Sequence, residues 1–540
     1  MYKLAVLAAG RGTRLGELVQ HINKAMLPVG EKAVISHIVD KVPIEVEVVV
    51  AMGYRRRELQ EYLEMAHPDR KWQFVEIDNI TGKGAGPGYS LLQCQNLLQC
   101  PFVLVTADTV VSEEIPAPTE NWLGVSPVID TSVYNSVKLT PDRLATNMRD
   151  KVRCDNTHAF IGLAGIKDWQ VFWNALAADE ALINGERQLS NGLKALQEER
   201  LQGRFFTWFD TGTPENYERT CRYFTQSKDD FSFAKTGEHI YFVGDRVIKF
   251  YNQAAVVKQR VERAHKLAGF VPCIERSSEN LYMYRKVPGK TLYKSLTEKK
   301  AREFFAWLQG GLWQPIDLSL EEKAVFQEAS YRFYHDKTRE RVENYFAGAG
   351  EEDGVGEVND VEVPALRELL GRVDWTELTR GIPSPWHGDL QFDNVIVSEE
   401  PGRPFVLIDW RQDFGGLLDF GDRYYDLAKM YGGMLNSYDA IKKGQFRFEQ
   451  KDRRVTLDVS LSYTLTRCKD AYTEFLEENG YDVRRVQLLT ALIFLNMSPL
   501  HLPPFNNLLH HLGKLELYRA LQQPSFPEVA NRVARVAART

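Results

Sequence analysis

The sequence predicts an α/β protein of two domains: an N-terminal domain around a mixed, mostly parallel sheet, and a C-terminal domain that opens with strands and closes with helices. Three observations carry this. At 540 residues the chain exceeds what one hydrophobic core usually serves. From Met1 to about Gln226, short apolar runs alternate with helical stretches, the pattern of strands joined by helical crossovers. After the polar segment QSKDDFS (226–232) the order changes, with strand-like runs first and helical periodicity later.

Composition narrows the class. With 44% apolar residues and no uninterrupted apolar run long enough to cross a bilayer, membrane insertion is not expected. The N-terminus opens on a strand without the regions of a signal peptide, so the cytoplasm is the expected location. A formal net charge of -6 and the lack of a long basic tract argue against a nucleic-acid partner. The six cysteines are scattered, with no C-x-x-C pair, and point to neither a zinc site nor a disulfide framework. Small-molecule substrates are the expected partners, and homo-oligomerisation stays open.

In the first domain, strands are expected over Leu4–Ala8, Val46–Ala51, Gln73–Ile77, Phe102–Thr106 and Leu123–Ser126, with helices near Val34–Val42, Arg55–Met65 and Tyr89–Leu98. The first strand runs into a loop carrying Gly10, Gly12, Arg14 and, further on, Lys24. Glycines after a buried strand let backbone N–H groups approach a phosphate, and the two cations add positive charge there. A dinucleotide fingerprint is excluded, because Leu15 stands where its third glycine belongs, and no Gly-Lys-Ser/Thr completes a Walker loop. Asp108 follows the strand PFVLVT, at a sheet edge where a carboxylate must be solvated, paired or bound to a cation.

These residues resemble the signature of the sugar-phosphate nucleotidyltransferases, L-A-A-G-x-G-T-R-L followed by P-K-x-L-x-P, with Asn23 replacing the first proline. The segment TWFDTGTPENYERT (207–220) resembles the same family's W-x-D-x-G-T-P-E-x-Y. The resemblance implies a Rossmann-like nucleotidyltransferase domain over residues 1–226, in which Asp108 and Asp210 hold Mg²⁺ while Arg14 and Lys24 hold a triphosphate. It also implies a nucleobase contact from NITGKGAGPGYSL (79–91), through Gly84 and Gly86. Its Gly-rich wording departs from the family's usual forms, while its Tyr-Ser-Leu ending (89–91) is reminiscent of the choline-phosphate cytidylyltransferase branch; CTP or UTP is the favoured nucleotide, and a glycine loop without base contact is the other reading. AFIGLAGI (159–166) resembles the family's N-A-G-I strand but lacks its asparagine, which leaves the acceptor open.

The second domain begins with a hairpin, His239–Val243 and Arg246–Tyr251 around Gly244-Asp245, that puts Lys249 inside the apolar strand VIKFY. A lysine there needs a partner, and the predicted helix Ala254–Leu267 offers Glu262. Further on, PWHGDLQFDNVIV (385–397) and FVLIDWRQDFG (405–415) supply an aspartate, an asparagine five residues later, and a second aspartate closing the next apolar strand. Kinase-like folds use this set as base, metal ligand and metal ligand.

Written as H-G-D-L-x-x-x-N with I-D-W, it resembles the aminoglycoside phosphotransferase and choline kinase family. The resemblance implies a bilobal protein-kinase-like domain over residues 231–540 after a linker at 227–230, with an N-lobe to about 290 and a helical C-lobe beyond. Asp389 then orients the acceptor hydroxyl, Asn394 and Asp409 bind Mg²⁺, and Lys249, tethered by Glu262, contacts the ATP phosphates. Met283–Pro288 becomes the hinge that binds adenine, and Asp426 is structural. The acidic, Gly-rich run 348–360 is expected to be a mobile loop, and helical periodicity is expected from about Val455 to Arg539. Trp386, Trp410, Tyr424 and Tyr425 either stack on an acceptor or pack in the core.

Together the resemblances imply a bifunctional enzyme. It would phosphorylate a sugar, amino sugar or amino alcohol with ATP, then join the phosphate to a nucleotidyl group from a second NTP, releasing pyrophosphate and making an activated precursor for surface glycan or lipid decoration. Two alternatives stay open: one half is a nucleotide-sensing regulatory module, or the product is a CDP-alcohol such as CDP-choline.

Overall fold

The computed structural model describes residues 2–225, 237–350, 352–437, 440–441 and 443–523; the expected linker at 227–230 lies outside them. The chain forms two compact units, Met1–Ser227 with Ala234–Ala254 and Glu275–Tyr284, and Lys228–Phe233 with Ala255–Ile274 and Arg285–Thr540.

The first unit is built on a nine-stranded sheet. Its strands are β1 (Lys3–Ala8), β2 (Glu47–Met52), β3 (Trp72–Glu76) and β4 (Phe102–Thr106). A short β5 (Thr109–Val111) lies off the sheet. The remainder are β6 (Trp122–Pro127), β7 (Asn135–Leu139), β8 (Ala145–Asp150), β9 (His158–Ile166) and β10 (Gln202–Phe205). The order β8-β7-β9-β4-β1-β2-β3, with β6 joined to β9 and β10 to β6, makes a mixed sheet with a parallel centre: β1 pairs in parallel with both β2 and β4, and β2 with β3.

Strand β1 shows why the sheet is buried on both faces. Leu4, Val6 and Ala8 belong to one core, and Ala5, Leu7 and Ala9 to another on the opposite side. A period of two along an unbroken apolar run is what a central strand covered twice requires.

The strands expected to open the second domain belong to the first unit. β12 (Glu238–Val243), β13 (Arg246–Tyr251), β14 (Ile274–Ser277) and β15 (Leu281–Arg285), numbered after β11 (Trp208–Asp210), form a four-stranded sheet in the order β12-β13-β15-β14. Tyr241, Val243, Ile248, Phe250, Leu281 and Met283 join the core containing Leu4, Val6 and Val50. The Tyr241 hydroxyl donates to the Met26 carbonyl at 2.7 Å, its ring meets the edge of Tyr62, and Phe242 N–H donates to the Glu31 carbonyl at 2.7 Å.

In the second unit, helices dominate. Leu320–Tyr331 passes through a π-helical turn (Arg332–Asp336) into Lys337–Ala349. The C-terminal helices are Tyr463–Glu478, Val483–Met497 and Phe505–Gln522. None of the described helices is long and apolar enough to cross a membrane.

Two expectations are corrected here. The run 348–360 is only partly a loop among the described residues: Ala349 ends a helix, and Gly356–Val358 forms a hairpin with Val361–Val363 in a sheet with Arg454–Val459 and Phe446–Lys451. Val358 and Val363 supply its buried side, and Asp353 caps the next helix through Leu366 and Arg367 N–H. The same pairing makes Arg454–Val459 a strand, so the C-terminal helices begin at Tyr463.

Tyr241→Phe would leave a buried carbonyl without its donor. We expect a loss of about 1–2 kcal/mol in the stability of the first unit, read by denaturant titration; an unchanged midpoint would contradict the shared core.

Candidate active sites

In the first unit, functional residues gather at the carboxyl ends of β1, β2 and β4, where open α/β sheets place ligands. Gly12 has φ 71° as the chain leaves β1, and nothing of the protein lies within 4 Å of where a Cβ on Gly10 would sit. Asn23 sustains this loop. Fully buried, it donates to the Ala8 and Tyr54 carbonyls at 2.9 and 2.6 Å and accepts from Ala25 N–H at 2.9 Å. It thereby caps the turn that presents Lys24.

Asp108 and Asp210 are brought together by backbone pairing. β5 and β11 run antiparallel with Thr109 opposite Asp210, and Thr211 N–H donates to the Asp108 carbonyl at 3.0 Å. A Cβ on Gly212 would stand 3.0 Å from an Asp210 oxygen, 3.6 Å from Arg14 and 3.7 Å from an Asp108 oxygen, so the three charged groups converge on one point. Lys24 Nζ lies 2.8 Å from Asp108 Oδ2. Burial acts to raise the Asp108 carboxyl, but Lys24, Thr106 and Arg14 outweigh it and hold it at about 2. Asp210 is raised, by burial first and by Asp108 second, against hydrogen bonds from Gly212 and Asn216.

Two hard oxygen donors that repel each other, with Arg14 and Lys24 alongside, fit a divalent cation such as Mg²⁺. Bound there, the ion would offset charge on triphosphate oxygens.

The glycines of 79–91 are only partly explained by a ligand. Gly86, at φ 120°, begins the helix Pro87–Gln93, and a Cβ there would meet the Arg187 carbonyl oxygen at 2.8 Å, so its own packing demands glycine. Gly84, at φ 80°, donates to the Gly185 carbonyl at 2.9 Å and leaves its Cβ direction open.

In the second unit, Asp389 and Asn394 form one hydrogen-bonded assembly, to which the segment carrying Asp409 is tied through Ile408. Asn394 Nδ2 donates to the Asp389 carbonyl at 2.8 Å and to its carboxylate at 3.2 Å, and the Asn394 carbonyl accepts from Ile408 N–H at 2.9 Å. His387 closes the ring. Its Nδ1 accepts from Asp389 N–H at 3.2 Å, which assigns the proton to Nε2, and Nε2 donates to the Ile408 carbonyl at 2.9 Å. Burial lowers this imidazole to about 4, so it stays neutral. Asp409, at φ 63°, follows Ile408 directly and has Arg260 at 3.9 Å. The carboxylate of Asp409 and the amide oxygen of Asn394 suit Mg²⁺.

Asp426 holds this assembly from beneath, in keeping with a structural role. Fully buried, it accepts from His387 and Gly388 N–H, both at 2.7 Å, and from Trp313 Nε1 at 3.3 Å, and burial raises its carboxyl to about 6. Gly388, at φ 89°, cannot be replaced, because a Cβ would lie 2.5 Å from the Trp386 ring. Arg263, from the helix Ala254–Lys266, stacks 4.7 Å over that ring and donates to the Trp386 and Arg411 carbonyls.

Sequence reasoning missed Arg263 and Lys429. Lys429 Nζ lies 2.7 Å from Asp389 Oδ1; the signal was its position one turn after Asp426. Glu262 is corrected: it is 44% exposed and pairs with Lys266 one turn along its own helix at 3.3 Å, the spacing at which helical charges meet. Lys249 is buried on β13, 6.0 Å from the centre of the Tyr284 ring. Trp386, Trp410, Tyr424 and Tyr425 are buried, which makes them core residues.

Comparison with known proteins gives a family match in each half of the chain. Residues 4–115 match the MobA-like NTP transferase domain, and residues 244–453 match the phosphotransferase enzyme family. The chain is 25% identical to the bifunctional protein GlmU of Methanococcus vannielii over 238 residues, 41% of this chain and 55% of the relative. It is 23% identical to that of Methanocaldococcus jannaschii, over 45% and 59% of the two. The chain thus spans about half the length of the curated relatives it matches. Among solved structures, UDP-glucose pyrophosphorylase complexed with UDP-glucose is 19% identical with a TM-score of 0.37, covering 42% of this chain and 98% of that one. CTP:phosphocholine cytidylyltransferase from Streptococcus pneumoniae is 16% identical with a TM-score of 0.34, covering 41% and 98%.

Asp426→Asn would turn an amide N–H₂ toward a backbone donor. We expect about 1–3 kcal/mol of destabilisation together with loss of phosphoryl transfer, measured by thermal melting and ADP release; full activity would show that the loop holds Asp389 without it.

Proposed function

We propose that this chain, which joins a MobA-like NTP transferase domain to a domain of the phosphotransferase enzyme family, carries out two consecutive transfers on one small molecule. The observation that carries the reading is that both constellations are complete in a single chain: Asp108 and Asp210 with Arg14 and Lys24 in one unit, and Asp389, Asn394 and Asp409 in the other.

In the first reaction an acceptor hydroxyl attacks the γ-phosphorus of ATP, its proton passes to Asp389, and the bond to ADP breaks. Lys429, paired with Asp389, keeps its carboxylate oriented until the hydroxyl arrives. In the second, an oxygen of the new phosphate monoester attacks the α-phosphorus of a second NTP, and the bond to pyrophosphate breaks. A phosphate dianion needs no base, so Arg14 and Lys24 act by alignment and by offsetting charge as pyrophosphate leaves. CTP or UTP is the proposed second nucleotide, Mg²⁺ the proposed ion at both sites, and Gly84 a proposed base contact. Covalent linkage raises the local concentration of the intermediate at the second site, and an NDP-activated precursor for surface decoration is the proposed product.

Separate substitutions test this. Asp389→Asn should lower ADP release by roughly 10²-fold or more while pyrophosphate release from a supplied phosphorylated acceptor stays within about twofold, and Asp108→Asn should do the reverse. Loss of both activities in either variant, or no turnover in one half, would favour a single catalytic half with a nucleotide-sensing neighbour.

A further inference from the structure

Cations are concentrated around Asp389 beyond what phosphoryl transfer from ATP requires. Lys429 pairs with Asp389 on one side. On another lies Arg411, whose Cβ would be only 2.6 Å from a Cβ built on Gly388, the residue before Asp389. Arg411 places its guanidinium carbon 4.9 Å from the centre of the Phe333 ring, and Lys337 places its ammonium 4.1 Å from the same centre and 5.9 Å from that of Tyr425.

Arg341, one turn beyond Lys337 on the helix Lys337–Ala349, extends the group. Beyond burial, Lys337 feels chiefly Arg411, Arg341 and Lys429 as repelling neighbours, ahead of the attraction of Asp413. Among the described residues no carboxylate forms an ion pair with Lys337, Arg341 or Arg411, and Arg411 Nε is buried without a hydrogen-bond partner. The π-helical turn Arg332–Asp336 sets Phe333 and Lys337 in register for this cluster; such turns interrupt helices most often at functional sites.

Like charges gathered on a partly buried aromatic floor repel one another unless an anion sits among them. ATP does not need them all, since its phosphates are the province of the metal-binding pair. A cationic acceptor would be repelled. We propose that Lys337 and Arg411, grouped around the Phe333 ring beside Asp389, together with Arg341 one turn along the helix from Lys337, form a subsite for an anionic group, carboxylate or phosphate, carried by the hydroxylated acceptor. The inference rests on the kinase reading of the second half. It sets aside choline and amino sugars as acceptors in favour of hydroxy acids or sugar acids, or of a molecule already bearing one phosphate.

Charge-matched acceptors test it. The full chain, with ATP and Mg²⁺, is offered glycerol, D-glycerate and sn-glycerol 3-phosphate as one series, D-glucose and D-glucuronate as another, and choline and D-glucosamine as cations, with ADP release as readout. The expected result is an anionic acceptor whose kcat/KM exceeds that of its neutral counterpart at least ~10-fold. Its KM should rise ~10-fold in Lys337→Gln and in Arg341→Gln, with the KM for ATP within about twofold of wild type; the carboxylate and phosphate arms tell which anion is bound. A neutral or cationic best acceptor, or a rise in the ATP KM alone, overturns the proposal.

Inorganic sulfate supplies a probe independent of turnover: it should raise the melting temperature of the wild-type protein and do so much less in Lys337→Gln, and equal shifts overturn the subsite. Failure of the kinase reading looks different, as no ATP consumption with any acceptor while sulfate binding still depends on Lys337.

Discussion

The geometry of the phosphotransfer half depends on one buried carboxylate. Asp426 has no access to water, and a charge in that position is costly unless its oxygens are satisfied. They are, by two backbone N–H groups of the very turn that carries Asp389 and by an indole N–H. Because Gly388 can be nothing but glycine and His387 is fixed as a single tautomer, Asp389 has little freedom left. Arg263 adds a second constraint from above, joining the Trp386 and Arg411 carbonyls, so that the segments carrying Asp389 and Asp409 are held by one side chain. A carboxylate fixed in advance has little orientational freedom left to lose when a partner docks against it.

The nucleotidyltransferase half solves the same problem with backbone pairing. Asp108 and Asp210 are about a hundred residues apart in sequence, yet the short ladder between Thr109–Val111 and Trp208–Asp210 sets them side by side. Their mutual repulsion shows in the opposite directions of their proton affinities, Asp108 held low by Lys24 and Asp210 pushed up by burial and its neighbour.

Much of this was legible in the sequence, for physical reasons that can be named. β1, β2 and β4 are central parallel strands, so their apolar runs were unbroken and their boundaries fell within a residue or two. The glycine loop and the aspartates stood out because they interrupt such runs with groups that cannot be buried unpaired. Asn23 looked like a departure from a proline pattern; its three hydrogen bonds show that it serves the same loop by another route. Arg263 was not legible, and Lys429 only through its place one turn after Asp426, since their partners lie more than 120 and 40 residues away and are fixed by tertiary packing. Glu262 was misassigned although Lys266, its neighbour one turn on, was in plain view. The hairpin at 356–363 was hidden because its third strand, Arg454–Val459, comes nearly a hundred residues later.

The strands β12 to β15 share one core with the nucleotidyltransferase sheet, and the chain leaves that unit after Ala254, returns at Glu275 and leaves again after Tyr284. The line that divides the two activities in sequence is therefore not the line along which the protein unfolds. A fragment ending at residue 226 would carry an uncovered apolar face, and a fragment starting there would carry strands without the core they were shaped for. Any ligand held by β13 would stabilise the sheet that carries Asp108 by the free energy of its own binding.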